Sequence, residues 1–406
     1  MKLISWQKIL ILLFFIIFQI RIINFWPSII ISKTGIFFII YQLIFLCCVL
    51  YTLIRGYSVL LNTLMLVLFL NLFIDTNTFF TKYSFLSNLK TLEPNHYHRL
   101  EIIGDIMPGF EGVNTISTDS KGFRTTKKIN YDDQSNYRIF SVGGSSTAQV
   151  YVDDNETWSA YLEDLLYSKF NEEVETINTG VSGLRAINHL ATLNHTEKFH
   201  PDLYLFLLGP NDWNNHMISS FHDIKRSLIY YSLYKMKNLI NVKKEPVTYK
   251  KKDFIEKVDG VHYYKRQNSL EKKDKRIFKP EDVKKDYKKV MIKIAKKCNN
   301  NNYKCMVITS PNAYSEKISE DLKVRLWMTP PNEDYTLDLK SLIHITNLYN
   351  NWLKVFAINN NLYFCDLAGK IEPSIKFLYD DSHFNENGSK KAAEEIAKCV
   401  NQQVLN

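Results

Sequence analysis

The chain has 406 residues, 46% of them hydrophobic and 14% aromatic, and a formal net charge of +9. This composition excludes a disordered or fibrous chain, and the length suffices to bury a sizeable core in two or three domains. The surplus charge is concentrated in residues 243–290, which hold 17 Lys/Arg against 9 Asp/Glu.

The first 80 residues predict a membrane anchor of two to three transmembrane helices. Gly35 to Ile54 is a 20-residue run without charge, and Tyr57 to Ile74 is an 18-residue run without charge. Each approaches the length needed to cross about 30 Å of hydrocarbon at 1.5 Å per residue. Only Arg55 and Gly56 separate them, so they read as a helical hairpin. Ile9 to Trp26 is a third candidate, interrupted by Gln19, Arg21 and Asn24. A signal-peptide reading of that run is open, although no small-residue cleavage site follows it. Three spans are favoured, with Lys2, Lys8 and Arg55 inside and the large domain outside the cytoplasm. Two spans would place that domain in the cytoplasm.

Residues 81–134 read as a linker and edge segment. Within it, Lys121-Gly122-Phe123-Arg124 forms a turn before the first strand of the main domain. Residues 135–406 then alternate strand-like and helix-like stretches. Tyr137 to Val142 is a strand stopped by Gly143-Gly144. Trp158, Tyr161, Leu162, Leu165 and Leu166 recur at helical spacing. Strands are expected at Val174–Thr179, Leu203–Leu208, Cys305–Thr309 and Leu362–Cys365. Helices are expected at Ala186–Lys198, Val283–Lys297, Leu337–Asn359 and Gly388–Asn401. Such alternation implies a parallel sheet covered by helices on both faces. The pattern breaks between Trp213 and about Glu281, and residues 214–281 read as a basic insertion beside the site. Of the six cysteines, Cys365 reads as a small buried hydrophobe. Cys298 and Cys305 flank a short polar loop and can pair in an oxidising compartment, but the expectation is that they do not.

Four short motifs each follow a strand-like run: Gly143-Gly144-Ser145-Ser146, Asn178-Thr179-Gly180-Val181-Ser182-Gly183, Gly209-Pro210-Asn211-Asp212 and Asp380-Asp381-Ser382-His383. In this order they resemble the four sequence blocks of the SGNH (GDSL-type) hydrolase family, over roughly residues 115–402. The form is similar to that of the family's membrane-anchored branch, since Gly144 and Ser146 stand where the eponymous block has Asp and Leu. The resemblance implies a flavodoxin-like three-layer α/β hydrolase domain preceded by the anchor.

The chemistry follows from residue types. A serine hydroxyl needs a base within hydrogen-bond reach, and the base needs an orienting acid. Ser145 and His383 supply the first two. Asp380, three residues before His383, has the spacing to reach its ring, whereas Asp381 at two residues points away. The family's oxyanion hole implies the Ser145 N–H, the Gly183 N–H and the Asn211 side-chain amide as donors. At Gly183 a side chain is expected to crowd the tetrahedral intermediate.

The expected function is therefore a serine esterase, or an O-acyltransferase using the same acyl-enzyme, acting on acylated carbohydrate or lipid of the cell envelope. The alternative is a non-catalytic anchored assembly or polysaccharide-binding protein that keeps the fold. No cofactor and no metal are expected: His96 and His98 are the one close histidine pair, and no nucleotide-binding loop opens a helix. Nucleic acid is not an expected partner. The basic insertion suits contact with an anionic polymer or phospholipid headgroups.

Overall fold

The computed structural model describes residues 89–105, 107–167, 173–221, 254–259, 274–326 and 335–405, together with Cys47. The runs 9–26, 35–54 and 57–74, expected to span a membrane, lie outside the described residues. Among the described residues no helix is long and apolar enough to cross a membrane.

The main sheet consists of five parallel strands. They are β3 (Tyr137–Gly143), β4 (Val174–Asn178), β5 (Leu203–Leu208), β8 (Lys304–Thr309) and β10 (Tyr363–Cys365). Their order is β10-β8-β5-β3-β4. The chain thus runs outward from β3 to β4, then crosses to β5 on the other side. The crevice at this reversal, at the carboxyl ends of β3 and β5, is where open α/β sheets bind ligands.

β5 is six consecutive apolar or aromatic residues, all buried. A strand buried on both faces needs no polar alternation. Its side chains still alternate in direction. Leu203, Leu205 and Leu207 join Ile139 and Ile308 in one core, whereas Tyr204, Phe206 and Leu208 join Phe140 and Val307 in the other. The first core is covered by α2 (Trp158–Tyr167) and α8 (Glu386–Gln403), through Trp158, Leu162, Ile396 and Val400. The second is covered by α3 (Ala186–Thr196), α5 (Lys285–Asn300) and α7 (Leu339–Asn359). On α5, Tyr287, Met291, Ile294, Ala295 and Cys298 are buried at helical spacing and the lysines face outward. The result is three layers around two cores.

Several expectations change. Cys298 and Cys305 are disulfide-bonded, and so are Cys365 and Cys399. α5 turns back directly into β8, which brings the first pair of Cα atoms to 6.2 Å. α8 packs across β10 and brings the second pair to 5.7 Å. Both separations suit a disulfide. Cys365 is therefore not a lone small hydrophobe.

The regular pattern also continues past Trp213. α4 (Pro210–Phe221) occupies the start of the expected insertion, and Trp213 and Met217, one turn apart, are fully buried. Asn214, Asn215 and His216 between them hide the period in the sequence.

The segment read as a linker carries strands β1 (Tyr97–Ile102) and β2 (Val113–Ser117), paired antiparallel. β1 also pairs in parallel with β6 (Ile255–Val258), which comes from the insertion. Two further short strands, β7 (Asp274–Arg276) and β9 (Tyr335–Leu337), pair with each other. The described residues of 89–222 and 248–406 belong to one compact unit.

Candidate active site

β3 ends at Gly143, and the chain turns through Gly144 into a single helical turn, α1 (Ser145–Ala148). Gly144 is required by packing, because a Cβ there would lie 2.6 Å from Asn211 Nδ2. The amides of Thr147 and Ala148 donate to Gly144 O at 3.1 and 2.9 Å, which fixes the turn and leaves Ser145 half-buried at its start. Ser146 donates its hydroxyl to Ser382 O at 3.0 Å, so the serine turn is pinned to the loop before α8.

That loop presents His383. Its Nε2 lies 2.7 Å from Ser145 Oγ. Its Nδ1 lies 2.8 and 2.7 Å from the two oxygens of Asp380. Asp380 Oδ1 also accepts from the backbone N–H of Ser382 at 3.0 Å and of His383 at 2.9 Å. Asp380 is therefore a buried carboxylate held in one orientation by two backbone N–H groups and the His383 ring. Burial opposes charge on the His383 ring, but the charge and hydrogen bond of Asp380, with Asp381 behind them, outweigh it and raise the ring above the usual histidine value. The neighbouring Asp381 is also buried, yet its Oδ1 faces the other way and accepts from Tyr314 OH at 2.6 Å.

Asn211 lies in the first turn of α4, and its amide donates to Leu184 O at 2.9 Å. Asn211 and Ser145 line one small cavity, together with Gly144, Leu184, Leu207 and Gly209. Gly183 immediately precedes Leu184 but does not itself line that cavity. Its φ is +79°, and a Cβ there would meet no protein atom within 4 Å. Within the protein, the demand for glycine at 183 is thus one of backbone conformation, not of crowding. Ser145, His383, Asp380 and Asn211 are brought together, and Gly183 adjoins them.

Asp212 has a structural place of its own. Its Oδ2 accepts from Ala186 N at 3.0 Å, which ties the turn after β5 to the start of α3. Burial pushes its carboxyl up to about 7, against the opposing pull of the Ala186 hydrogen bond and of Arg185 and Lys284.

Arg124 is the last residue of the turn Lys121-Gly122-Phe123-Arg124, and its contacts give that turn a role beside the site. Its guanidinium is 2% exposed. It donates to the carbonyls of Ala148, Gln149 and Val152 at 2.5–2.8 Å and pairs with Asp154 at 2.7 Å. All three carbonyls belong to the end of α1 and the loop after it. The backbone of Arg124 bridges to Asn178 at the end of β4. The sequence signal for this role is the Gly122-Phe123-Arg124 turn ahead of the serine motif.

Tyr379 stacks on His383 at 5.5 Å between ring centroids, and Phe110 and Tyr151 meet Tyr379 edge-on at 5.2 and 6.2 Å. Among the described residues no cluster of His, Cys, Asp or Glu is arranged to hold a metal ion.

No protein-family profile matches the sequence, and no curated protein matches it. Among solved structures, the chain is similar to a protein from Desulfitobacterium hafniense described as lipolytic and of the G-D-S-L family, at 10% identity and a TM-score of 0.36, over 65% of this chain and 99% of that one. It is similar to the acetyl xylan esterase AlAXEase at 16% identity and a TM-score of 0.37, over 65% and 99% of the two chains. It is also similar to a carbohydrate acetylesterase family member from Sinorhizobium meliloti at 13% identity and a TM-score of 0.33, over 66% and 100%. These likenesses are remote.

Proposed function

We propose that this chain is an SGNH-type serine hydrolase that cleaves ester bonds through an acyl-enzyme. The observation that carries this reading is the unbroken relay from Ser145 Oγ to His383 Nε2 at 2.7 Å and from His383 Nδ1 to Asp380 at 2.7 Å. His383 takes the proton as Ser145 attacks the carbonyl, then returns it to the departing alcohol. Asp380 holds the tautomer with Nδ1–H and stabilises the imidazolium. The Asn211 amide spends one hydrogen on Leu184 O and has a second for the oxyanion. The Ser145 and Gly183 N–H groups complete the proposed hole. Water then releases the acid; a sugar hydroxyl in its place would make the reaction a transfer.

The finer reading is an anchored enzyme acting outside the cytoplasm on acylated carbohydrate or lipid of the envelope. The uncharged runs before residue 80 support the anchor. Two disulfides support an oxidising compartment, where such bonds persist. A phosphatase reporter fused after Gln403 should then be active and a cytoplasmic reporter silent. The opposite pattern would place the domain inside.

The test of the activity is Ser145→Ala. It should fold normally, lose labelling by a fluorophosphonate probe and lose nitrophenyl acetate hydrolysis by on the order of 10⁴-fold or more. A variant retaining more than a tenth of wild-type rate would exclude Ser145 as nucleophile.

A further inference from the structure

Two contacts join the serine turn to the histidine loop side by side, and only one of them takes part in the chemistry. The first is the hydrogen bond between Ser145 Oγ and His383 Nε2 at 2.7 Å. The second joins their chain neighbours: Ser146 Oγ donates to Ser382 O at 3.0 Å, and both residues are buried. Three successive carbonyls of the loop are held by donors. Asp381 O accepts from Ala313 N at 2.7 Å, Ser382 O from Ser146, and His383 O from Tyr379 N at 3.2 Å. Of the three, the middle one reaches the serine turn.

Ser382 O and His383 N belong to one peptide unit, which is planar and rigid. Its N–H donates to Asp380 Oδ1 at 2.9 Å, and its C=O accepts from Ser146. The unit that carries the His383 Cα is thus held at both ends, by the orienting acid and by the residue after the nucleophile. Ser146 is itself fixed from behind. Trp158 Nε1 donates to Ser146 O at 3.2 Å, and Gln149 Oε1 accepts from Trp158 N at 2.8 Å. Its hydroxyl therefore transmits the position of the serine turn to the histidine.

The two contacts fare differently during the reaction. When Ser145 attacks, a bond forms between Oγ and the carbonyl carbon, and the hydroxyl proton moves to His383 Nε2. The departing alcohol takes that proton as its own bond to the carbon breaks. In the acyl-enzyme Ser145 Oγ is an ester oxygen without a proton, so the first contact is gone. Water then attacks the carbon and gives a proton to Nε2, and the carbon–Oγ bond breaks as Oγ takes that proton back. Through this second half His383 must keep its place without a bond from Ser145. We propose that Ser146 is a positioning residue for deacylation: its hydroxyl, through Ser382 O, keeps His383 in register while Ser145 is acylated. This rests on the reading of Ser145 as nucleophile.

The experiment is stopped-flow hydrolysis of nitrophenyl acetate by the detergent-solubilised full chain. The burst reads acylation and the steady rate after it reads deacylation. Ser146→Ala should deacylate about 10–100-fold more slowly, the scale of an ångström's misplacement, while its burst rate stays within about threefold of wild type. kcat and KM should therefore fall together, with kcat/KM nearly kept. Ser146→Thr keeps the hydroxyl and should recover most of the deacylation rate. Ser146→Cys, a weaker donor, should fall between the two. Thermal unfolding checks that each variant is folded. An unchanged deacylation rate in Ser146→Ala overturns the proposal. So do equal losses in both steps, the mark of a merely structural role, and a folded Ser146→Thr as slow as Ser146→Ala. A wild type with neither burst nor fluorophosphonate labelling defeats the reading of Ser145 as nucleophile, and the proposal with it. A wild-type burst without the expected split defeats the positioning role alone.

Discussion

Asp380→Asn tests the site most sharply, because the surroundings dictate how the amide must sit. Asp380 Oδ1 accepts from two backbone N–H groups, of Ser382 and His383. An asparagine NH₂ cannot occupy that position, so its carbonyl oxygen takes it and the NH₂ turns toward the site of Oδ2. There it faces His383 Nδ1, now 2.7 Å from Oδ2. A donor facing Nδ1 favours the tautomer with the proton on Nε2. That nitrogen then points its hydrogen at Ser145 Oγ and cannot accept the serine proton. The loss should approach 10⁴ in kcat, about 5 kcal/mol of transition-state stabilisation. Asp381→Asn keeps an oxygen for the Tyr314 hydroxyl and removes only a secondary charge from the His383 ring. Its cost should be a few-fold, with the acid limb of the pH–rate profile moved slightly downward. The assay is kcat for nitrophenyl acetate from pH 5 to 9, together with histidine ¹⁵N spectra to read the tautomer. Similar losses at the two positions, or an Asp380→Asn variant above a tenth of wild-type rate, would refute the orienting role.

Two stability predictions follow from groups outside the relay. Asp212 has its folded pKa raised from 3.8 to about 7 by burial, so its contribution is fully present below pH 4 and is lost as pH rises through 7. Asp212→Asn keeps an acceptor for Ala186 N and should flatten the fall in Tm between pH 4 and 8, a difference on the order of 4 kcal/mol; parallel Tm curves for the two proteins would contradict this. The disulfides should differ in weight, because Cys365 and Cys399 are 34 residues apart and Cys298 and Cys305 only 7. In the chain-entropy account, Cys365→Ala/Cys399→Ala should cost about 4 kcal/mol and Cys298→Ala/Cys305→Ala about 2.5, measured by urea unfolding; the reverse ranking would count against it.

The parts of the fold legible in the sequence are those in which one physical rule dominates. The expected bounds of the strand at 203–208 match β5, because a run of six large apolar residues between a proline turn and Gly209 has few other uses. The helix at 337–359 was read two residues long at its start, where Asp338 proves to be the N-cap, accepting from Ser341 N at 2.8 Å. The spacing of Asp380 and His383 pointed to contact because three residues of a turn bring side chains together locally. What was not legible depends on long-range pairing. β1 buries only Leu100, so its alternation is faint, and its partner β6 lies more than 150 residues away. Cys365 gave no sign of Cys399 because the contact is made by α8 crossing β10.

The segment before the main sheet is more than a tether, and Arg124 gives the physical reason. The single helical turn at Ser145 is too short to be stable by its own hydrogen bonds. It ends at Gln149 in the left-handed region, with φ of 47°, and leaves carbonyls at 148, 149 and 152 pointing into the protein. Buried carbonyls of this kind need donors. A lysine carries a compact charge, whereas the five-donor fork of an arginine serves several carbonyls and a carboxylate at once. Asp154, which pairs with Arg124, also accepts from the backbone and hydroxyl of Ser117 in β2, and Asp153 accepts from Thr115 N in the same strand. Asn114 of β2 donates to Tyr151 O. The loop that fixes the serine turn is thus held on one side by Arg124 and on the other by β2. β2 in turn is held by β1, and β1 by β6 from the insertion. The two segments that read as additions to the main domain, one before it and one within it, form a single small sheet bonded to the loop beside Ser145.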